Sequence, residues 1–323
     1  MITVAVAGGT SPGLGRSILE ALKEHPNEIK PVVLSRHAST TPQWLIDLDI
    51  EVRKVDYGSE DALVEALQGV NTVLCTLLVR DGTWDSTQIR LLNASLRAGV
   101  SRFAPAEWGP GPLAAHRISM LAPQLSVREA CGSVQQQHPS TFEFACFRLG
   151  AFMNYLGHGA PDEQDALHGF NDNWENCWWH VKEMKAEIPL TKEGKVPKCT
   201  LTEIRDVGRF AAAACLLPFG SWKEDFSMVG ETVDMDEVVR IAEEVRGRKM
   251  DVVYREFKTV VKEKEEEGHF YRKFWYELEE MMAREEVGES VLEPVLNQLC
   301  PDVRPIGVKE YVRKYWGSDA ANK

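Results

Sequence analysis

The chain has no apolar run long enough to span a bilayer, no C-x-x-C pair, no histidines at H-x-x-x-H spacing and no basic stripe. Each absence excludes something. Without about 20 consecutive apolar residues no membrane-spanning helix is expected. No signal-like segment precedes the apolar stretch that starts at Ile2, so a cytoplasmic location is expected. The seven cysteines, an odd number scattered singly, read as reduced thiols, with Cys75 and Cys146 in apolar runs where core packing accounts for them. The eight histidines form no metal-ligand constellation, and no metal is expected. Lys and Arg number 37 against 49 Asp and Glu, a formal net charge of −12 with the acids spread along the chain. That balance argues against binding a nucleic-acid backbone. Repeats and low-complexity linkers are also missing. The 323 residues are ample for one large α/β domain or two joined ones.

What is present begins at Thr3–Leu22, TVAVAGGTSPGLGRSILEAL, where an apolar strand-like run enters a glycine-rich turn and then a helical pattern. Free N–H groups and the positive end of a helix dipole meet at such a turn and form an anion site. A dinucleotide pyrophosphate is the anion this context favours. Gly8 and Gly9 take the tight turn, Gly13 lets the backbone approach phosphate, and Gly15 lets the helix pack close to the strand. Thr10, Ser11 and Leu14 complete the loop. Its spacing, G-x-x-x-G-x-G from Gly9 to Gly15, departs from the plain G-x-G-x-x-G, and Pro12 removes one donor. An ordinary βα turn with incidental glycines is the bland alternative.

The second apolar run, Pro31–Ser39, ends in Ser35 and Arg36 with no acidic residue between Pro31 and Gln43. A carboxylate here reads a ribose 2′-hydroxyl, whereas an arginine pairs with a 2′-phosphate. Arg36 therefore points to NADP(H) as cofactor, against the alternative of a solvated surface arginine.

Strand and helix signals alternate through the first half: Ile50–Asp56, Glu60–Leu67, Asn71–Val79, Thr87–Ala98, Ser101–Ala106 and Phe142–Leu149. The expected fold class is α/β, a doubly wound parallel Rossmann sheet over residues 1–150, with a smaller substrate-covering region over 151–323 partly packed back onto the sheet. Ligands bind outside the carboxyl ends of such strands, which makes Asp56, Thr76, Leu77 and Pro105 candidates to line the nucleotide crevice. In the second half Gly157–Asn173 reads as a loop, followed by Trp174, Trp178, Trp179 and His180, which either wall a pocket or cover core. Residues 236–247 form an amphipathic helix. Lys258–Glu286 reads as a long charged helical stretch with Phe270, Phe274, Trp275 and Leu278 on one face and a solvated charged surface.

Several segments resemble the NmrA-like and isoflavone-reductase-like group of atypical short-chain dehydrogenases, especially fungal members. They are AGGTSPGLGR (Ala7–Arg16), VLSR (Val33–Arg36), AGVSRFAPAEWG (Ala98–Gly109), VREA (Val127–Ala130), FRLGAFMNY (Phe147–Tyr155), IRDVGRFAAAA (Ile204–Ala214) and VRPIGVKEYVRKYW (Val303–Trp316). They occur in family order over nearly the whole chain. The resemblance implies a Rossmann domain holding NADP(H) and a C-terminal region capping a small, often phenolic or polyketide-like substrate.

Two departures stand out. Where the family's reductases carry a lysine four residues before the arginine of the V-R segment, this chain has Gln124. Where P-S-E-F/W-G follows the fifth strand, it has Pro105-Ala106-Glu107-Trp108-Gly109. The lysine works as, or supports, a general acid in the relatives. A glutamine orients an oxygen but delivers no proton. His116 and Tyr155 are the other proton carriers near the implied cleft, each with a bland reading as surface or packing residue. Tyr254 and Lys258 share a Tyr-x-x-x-Lys spacing by chance. The leading expectation is an NADPH-dependent reductase of a small apolar metabolite, with Gln124, His116 and Tyr155 as catalytic candidates. The alternatives are an NADP(H)-sensing regulator with a protein partner, and a non-redox isomerase, dehydratase or cyclase. A homodimer is compatible with all three.

Overall fold

Strand β1 (Ile2–Ala7) alternates its side chains between two buried faces, and that alternation organises the molecule. The computed structural model, which describes residues 1–172 and 177–317, continues with α1 (Leu14–Lys23), β2 (Ile29–Arg36), α2 (Gln43–Asp47) and β3 (Glu51–Val55). Next come α3 (Glu60–Ala66), β4 (Thr72–Cys75), α4 (Trp84–Arg97), β5 (Arg102–Ala104), α5 (Pro123–Gln137) and β6 (Glu143–Phe144). The strands form a six-stranded parallel sheet in the order β3-β2-β1-β4-β5-β6. Val4 and Val6 face a layer containing Ile18 and Leu19 of α1. Ala5 and Ala7 face the other, with Leu63 of α3, Leu91 of α4 and Val127 of α5. Burial on both faces is what a doubly wound parallel sheet requires, and the expected α/β Rossmann class is the observed one.

Beyond β6 lie β7 (Cys146–Arg148), β8 (Ala151–Phe152), α6 (Glu163–Leu167), β9 (Trp179–His180), β10 (Lys185–Pro189) and β11 (Lys198–Thr202). The chain continues through α7 (Ile204–Leu216), β12 (Asp225–Ser227), β13 (Glu231–Asp234), α8 (Met235–Arg246) and β14 (Asp251–Arg255). It ends in α9 (Phe257–Glu266), α10 (Phe270–Arg284), α11 (Val295–Leu299) and α12 (Val308–Trp316). These strands make small sheets, β14-β10-β9, β13-β11-β8 and β12-β7. Helix α7 returns to the central sheet, where Val207, Phe210 and Ala211 pack with Ile18 and Leu19. Most of the remaining second half builds its own core, rich in aromatic and sulfur side chains such as Met153, Phe170, Trp179 and Trp316.

Several segments differ from their sequence expectation. The apolar run Phe142–Leu149 is two strands, not one. Ala145 donates to Phe103 O, then Cys146 donates to Glu224 O, and β7 leaves the central sheet to pair with β12. The run Asn71–Val79 stops pairing as a strand at Cys75. Thr76 is still tied to Ala7 O, but Leu78 is 64% exposed, because the chain has passed the end of the sheet. Gly157–Asn173 is not a plain loop: α6 forms there, with the Asp162 side chain capping the Asp165 N–H. The long charged stretch Lys258–Glu286 is a helical hairpin broken around Gly268, where Glu267 turns extended and its carboxylate accepts from His269 N–H. Its charges are not merely solvated, since Lys264–Glu280 (2.6 Å) joins the two helices and Glu277 is buried against Ser119. Trp174 and Asn173 lie outside the described residues.

Candidate active site

The turn after β1 is built around Gly8, whose φ of +84° an L side chain rarely adopts and whose added Cβ would meet Thr76 Oγ1 at 2.9 Å. Ser11 N–H returns to Gly8 O, and Arg16 N–H closes onto Ser11 O. Helix α1 has no side-chain cap at Gly13, and among the described residues the amides of Gly13, Leu14 and Gly15 meet no protein acceptor. Unsatisfied amides at the start of a ten-residue helix fit a phosphate group.

Beside this turn Ser35 is buried and Arg36 is exposed at the end of β2. Lys54 joins them. The β2–β3 register sets it opposite Ser35, and its Nζ donates to Ser35 Oγ at 3.3 Å and to Ser39 O at 2.5 Å. The sequence expectation missed this second cation, although strand pairing between the two runs would have brought it beside Ser35. Asp56, at the end of β3, is exposed and caps its own turn by accepting from Gly58 N–H.

A cavity of about 380 Å³ runs along the carboxyl ends of the strands, within the range of small-molecule sites. Ser11, Gly13 and Leu14 of the phosphate loop, together with Thr76 and Leu77 after β4, form one end. Ala106 and Trp108 after β5 and Gln124 on α5 form the middle. Phe152, Tyr155, Phe170 and Trp178 supply an aromatic wall, and Phe274, Leu278, Met281 and Met282 of α10 close it. Thus Trp178 walls the cavity, while Trp179 is core, its Nε1 donating to Met235 O. The two halves touch at the phosphate loop. Gly169, with φ +75°, lies so close that an added Cβ would sit 2.1 Å from Pro12 O. Next to it, His168 Nε2 is 2.7 Å from Glu20 Oε2 on α1.

Gln124 is buried in the first turn of α5 and faces the cavity, and among the described residues its amide makes no hydrogen bond to protein. One turn on, Arg128 donates to Glu107 at 2.9 Å, and Arg148 reaches the same fully buried carboxylate at 2.5 Å. Burial opposes the charge of Arg128, but the Glu107 carboxylate more than offsets this and holds its pKa above the ordinary value. This buried triad fixes α5, and with it Gln124, to the loop carrying Ala106 and Trp108. The sequence expectation missed it.

Tyr155 lines the cavity as anticipated and is 8% exposed, with its O–H donated to Asp172. Burial, reinforced by the Asp172 charge, pushes the phenol well above its ordinary pKa. It is therefore a poor acid. His116 is not brought to the cavity: it sits exposed on a short 3-10 turn, Ala114–His116, while Pro110 and Met120 on either side of that segment reach the lining. Pro105 is buried behind the lining that its neighbour Ala106 supplies, and Gly8 and Thr10 likewise support the loop without facing the cavity. Tyr254, half exposed on β14, bonds Asp236 far from the cavity.

Residues 2–312 match the profile of the NmrA-like family. Oxidoreductase BOA1 of Botryotinia fuckeliana is 28% identical over 253 residues, 77% of this chain and 77% of that protein. Among solved structures, AtPrR2 with NADP+ and (+)pinoresinol superposes with a TM-score of 0.73 at 19% identity, covering 97% of this chain and 98% of that one. Isoflavone reductase gives 0.71 at 20% identity, with the same coverage. The nucleotide in the first of these structures is the one expected here from Arg36. The glycine turn, the six-stranded sheet order and a family match over nearly the full length agree: this chain belongs to the NmrA-like family.

Proposed function

We propose that this protein is an NADPH-dependent reductase of a small, largely apolar metabolite, phenolic or polyketide-like in class. The observation that carries this reading is the continuity of one cavity, from the unsatisfied amides of α1 to a wall of aromatic and methionine side chains. The amides of Gly13, Leu14 and Gly15 bind pyrophosphate, and Arg36 with Lys54 binds the 2′-phosphate. NADPH, when bound, supplies the hydride. Gln124 orients the substrate oxygen through its amide N–H, and the apolar wall excludes bulk water from the reacting carbon. With His116 outside the cavity and the Tyr155 proton engaged by Asp172, the proton comes from water at the mouth.

The test is NADPH oxidation across a panel of aromatic enones and ketones. Substrate-dependent oxidation supports the reading, and bound NADPH that no panel member consumes overturns it. A second reading, an NADP(H)-sensing regulator, is favoured by the lack of a ready acid where Gln124 and Ala106 stand. It requires NADPH-dependent capture of one specific partner protein.

A further inference from the structure

The aromatic wall of the cavity carries one polar pair with a fixed hydrogen-bonding sense. The Tyr155 ring is held edge-on by Phe170, with centroids 4.9 Å apart, and by Trp275 at 6.1 Å, so its oxygen has a set position. Its only proton is given to Asp172 Oδ2. A phenol that has spent its donor offers the cavity nothing but lone pairs. Asp172 also lines the cavity, and an ionised carboxylate accepts only. Burial and the Asp172 charge keep the Tyr155 proton in place.

We propose that the Tyr155–Asp172 pair is a hydroxyl-reading subsite: it selects a ligand carrying a free hydroxyl over the same ligand as its methyl ether. This rests on the small-molecule cavity of the preceding reading and refines its substrate class to hydroxylated aromatic compounds. A free hydroxyl donates to the Tyr155 oxygen, whose lone pairs are polarised by the bond to Asp172. An ether brings an acceptor against an acceptor and displaces water from the Tyr155 lone pairs without giving them a donor, a cost for a buried polar atom. Gln124, which both donates and accepts, cannot impose this sense.

The experiment is calorimetric titration of the full chain, loaded with NADP+, with 2-naphthol and with 2-methoxynaphthalene. The hydroxyl compound is expected to bind about tenfold more tightly, as for one hydrogen bond within a charge-assisted pair. Tyr155→Phe removes the acceptor and should bring the ratio below about threefold. Asp172→Ala, at an exposed position, frees the phenol proton. The ratio should fall there because the ether gains affinity, which a merely structural role does not produce. Equal affinities in the parent protein, including no measurable binding of either compound, overturn the proposal. So does a ratio that survives both substitutions. If Tyr155→Phe fails to fold, Asp172→Ala decides alone. Because the readout is binding, selective binding here combined with no NADPH oxidation across the enone and ketone panel sinks the reductase reading and leaves this one standing.

Discussion

The sheet half and the covering half build their parts of the cavity from different materials. In the sheet half small aliphatic side chains, Val4, Ala5, Val6 and Ala7, are sandwiched between helical layers, and the groups presented to a ligand are mainly backbone amides at Gly13–Gly15. In the covering half the ligand-facing groups are large side chains, Tyr155, Phe170, Trp178 and Met282, drawn from elements far apart in the chain. On the proposed reading, backbone donors set by a turn hold the pyrophosphate, and side chains on loops and on the α9–α10 hairpin select the substrate. The halves meet where Gly169 rests on Pro12.

Five substitutions break or sharpen this division. The largest loss belongs to Glu107→Gln, which leaves Arg148 and Arg128 buried without their carboxylate and should cost about 3–5 kcal/mol in urea unfolding. If the triad positions α5, NADPH affinity should survive while ligand binding near Gln124 weakens. Gly169→Val strikes the seam itself. A β-branched residue at φ +75° with no room beside Pro12 should cost about 1–3 kcal/mol or more and weaken NADPH binding as well. A stable variant with unchanged NADPH affinity would mean that the seam does not hold the phosphate loop. Within the sheet half, Arg36→Ala and Lys54→Ala should each weaken NADPH by about 1–3 kcal/mol and leave NADH nearly unchanged. Equal losses for both nucleotides, measured by tryptophan fluorescence, would remove the 2′-phosphate role.

The smallest effect is a pH dependence. Burial raises the Glu20 pKa, but His168 and Arg16 outweigh it, so the folded value lies below the ordinary 4.5. A depressed carboxylate contributes stability above its unfolded pKa and loses it as pH falls through the folded one. Glu20→Gln should therefore remove a small stability contribution at neutral pH, flatten the fall below about pH 4.5 and leave strongly acid stability little changed. An unaltered acid limb would show that the Glu20–His168 contact carries no charge.

The first half was legible because its signals are local. An apolar run, a glycine turn and an amphipathic helix lie side by side in Thr3–Leu22, and Arg36 closes the next strand. The covering half was legible only in fragments. Periodicity located α8 but not the break at Gly268, since charged residues continue helical composition straight through it. The run Phe142–Leu149 hid a change of partner strand, because an apolar strand reads the same in either sheet. At the cavity Gln124 and Tyr155 were anticipated and do face it, whereas Asp172, in a stretch rich in Gly, Asp and Asn, carried no distinguishing mark. His116 was placed by sequence proximity, and a short 3-10 turn carried it outward.

The sequence by itself determined the family and the doubly wound sheet and pointed to NADP(H), because backbone conformations and two-faced burial are written in short runs of residues. Only the tertiary structure decided which way each polar group points: Lys54 beside Ser35, Glu107 between two arginines, and the Tyr155 proton turned to Asp172. Those choices depend on partners from 17 residues away (Tyr155 and Asp172) to 41 (Glu107 and Arg148), separations over which no local pattern constrains the chain.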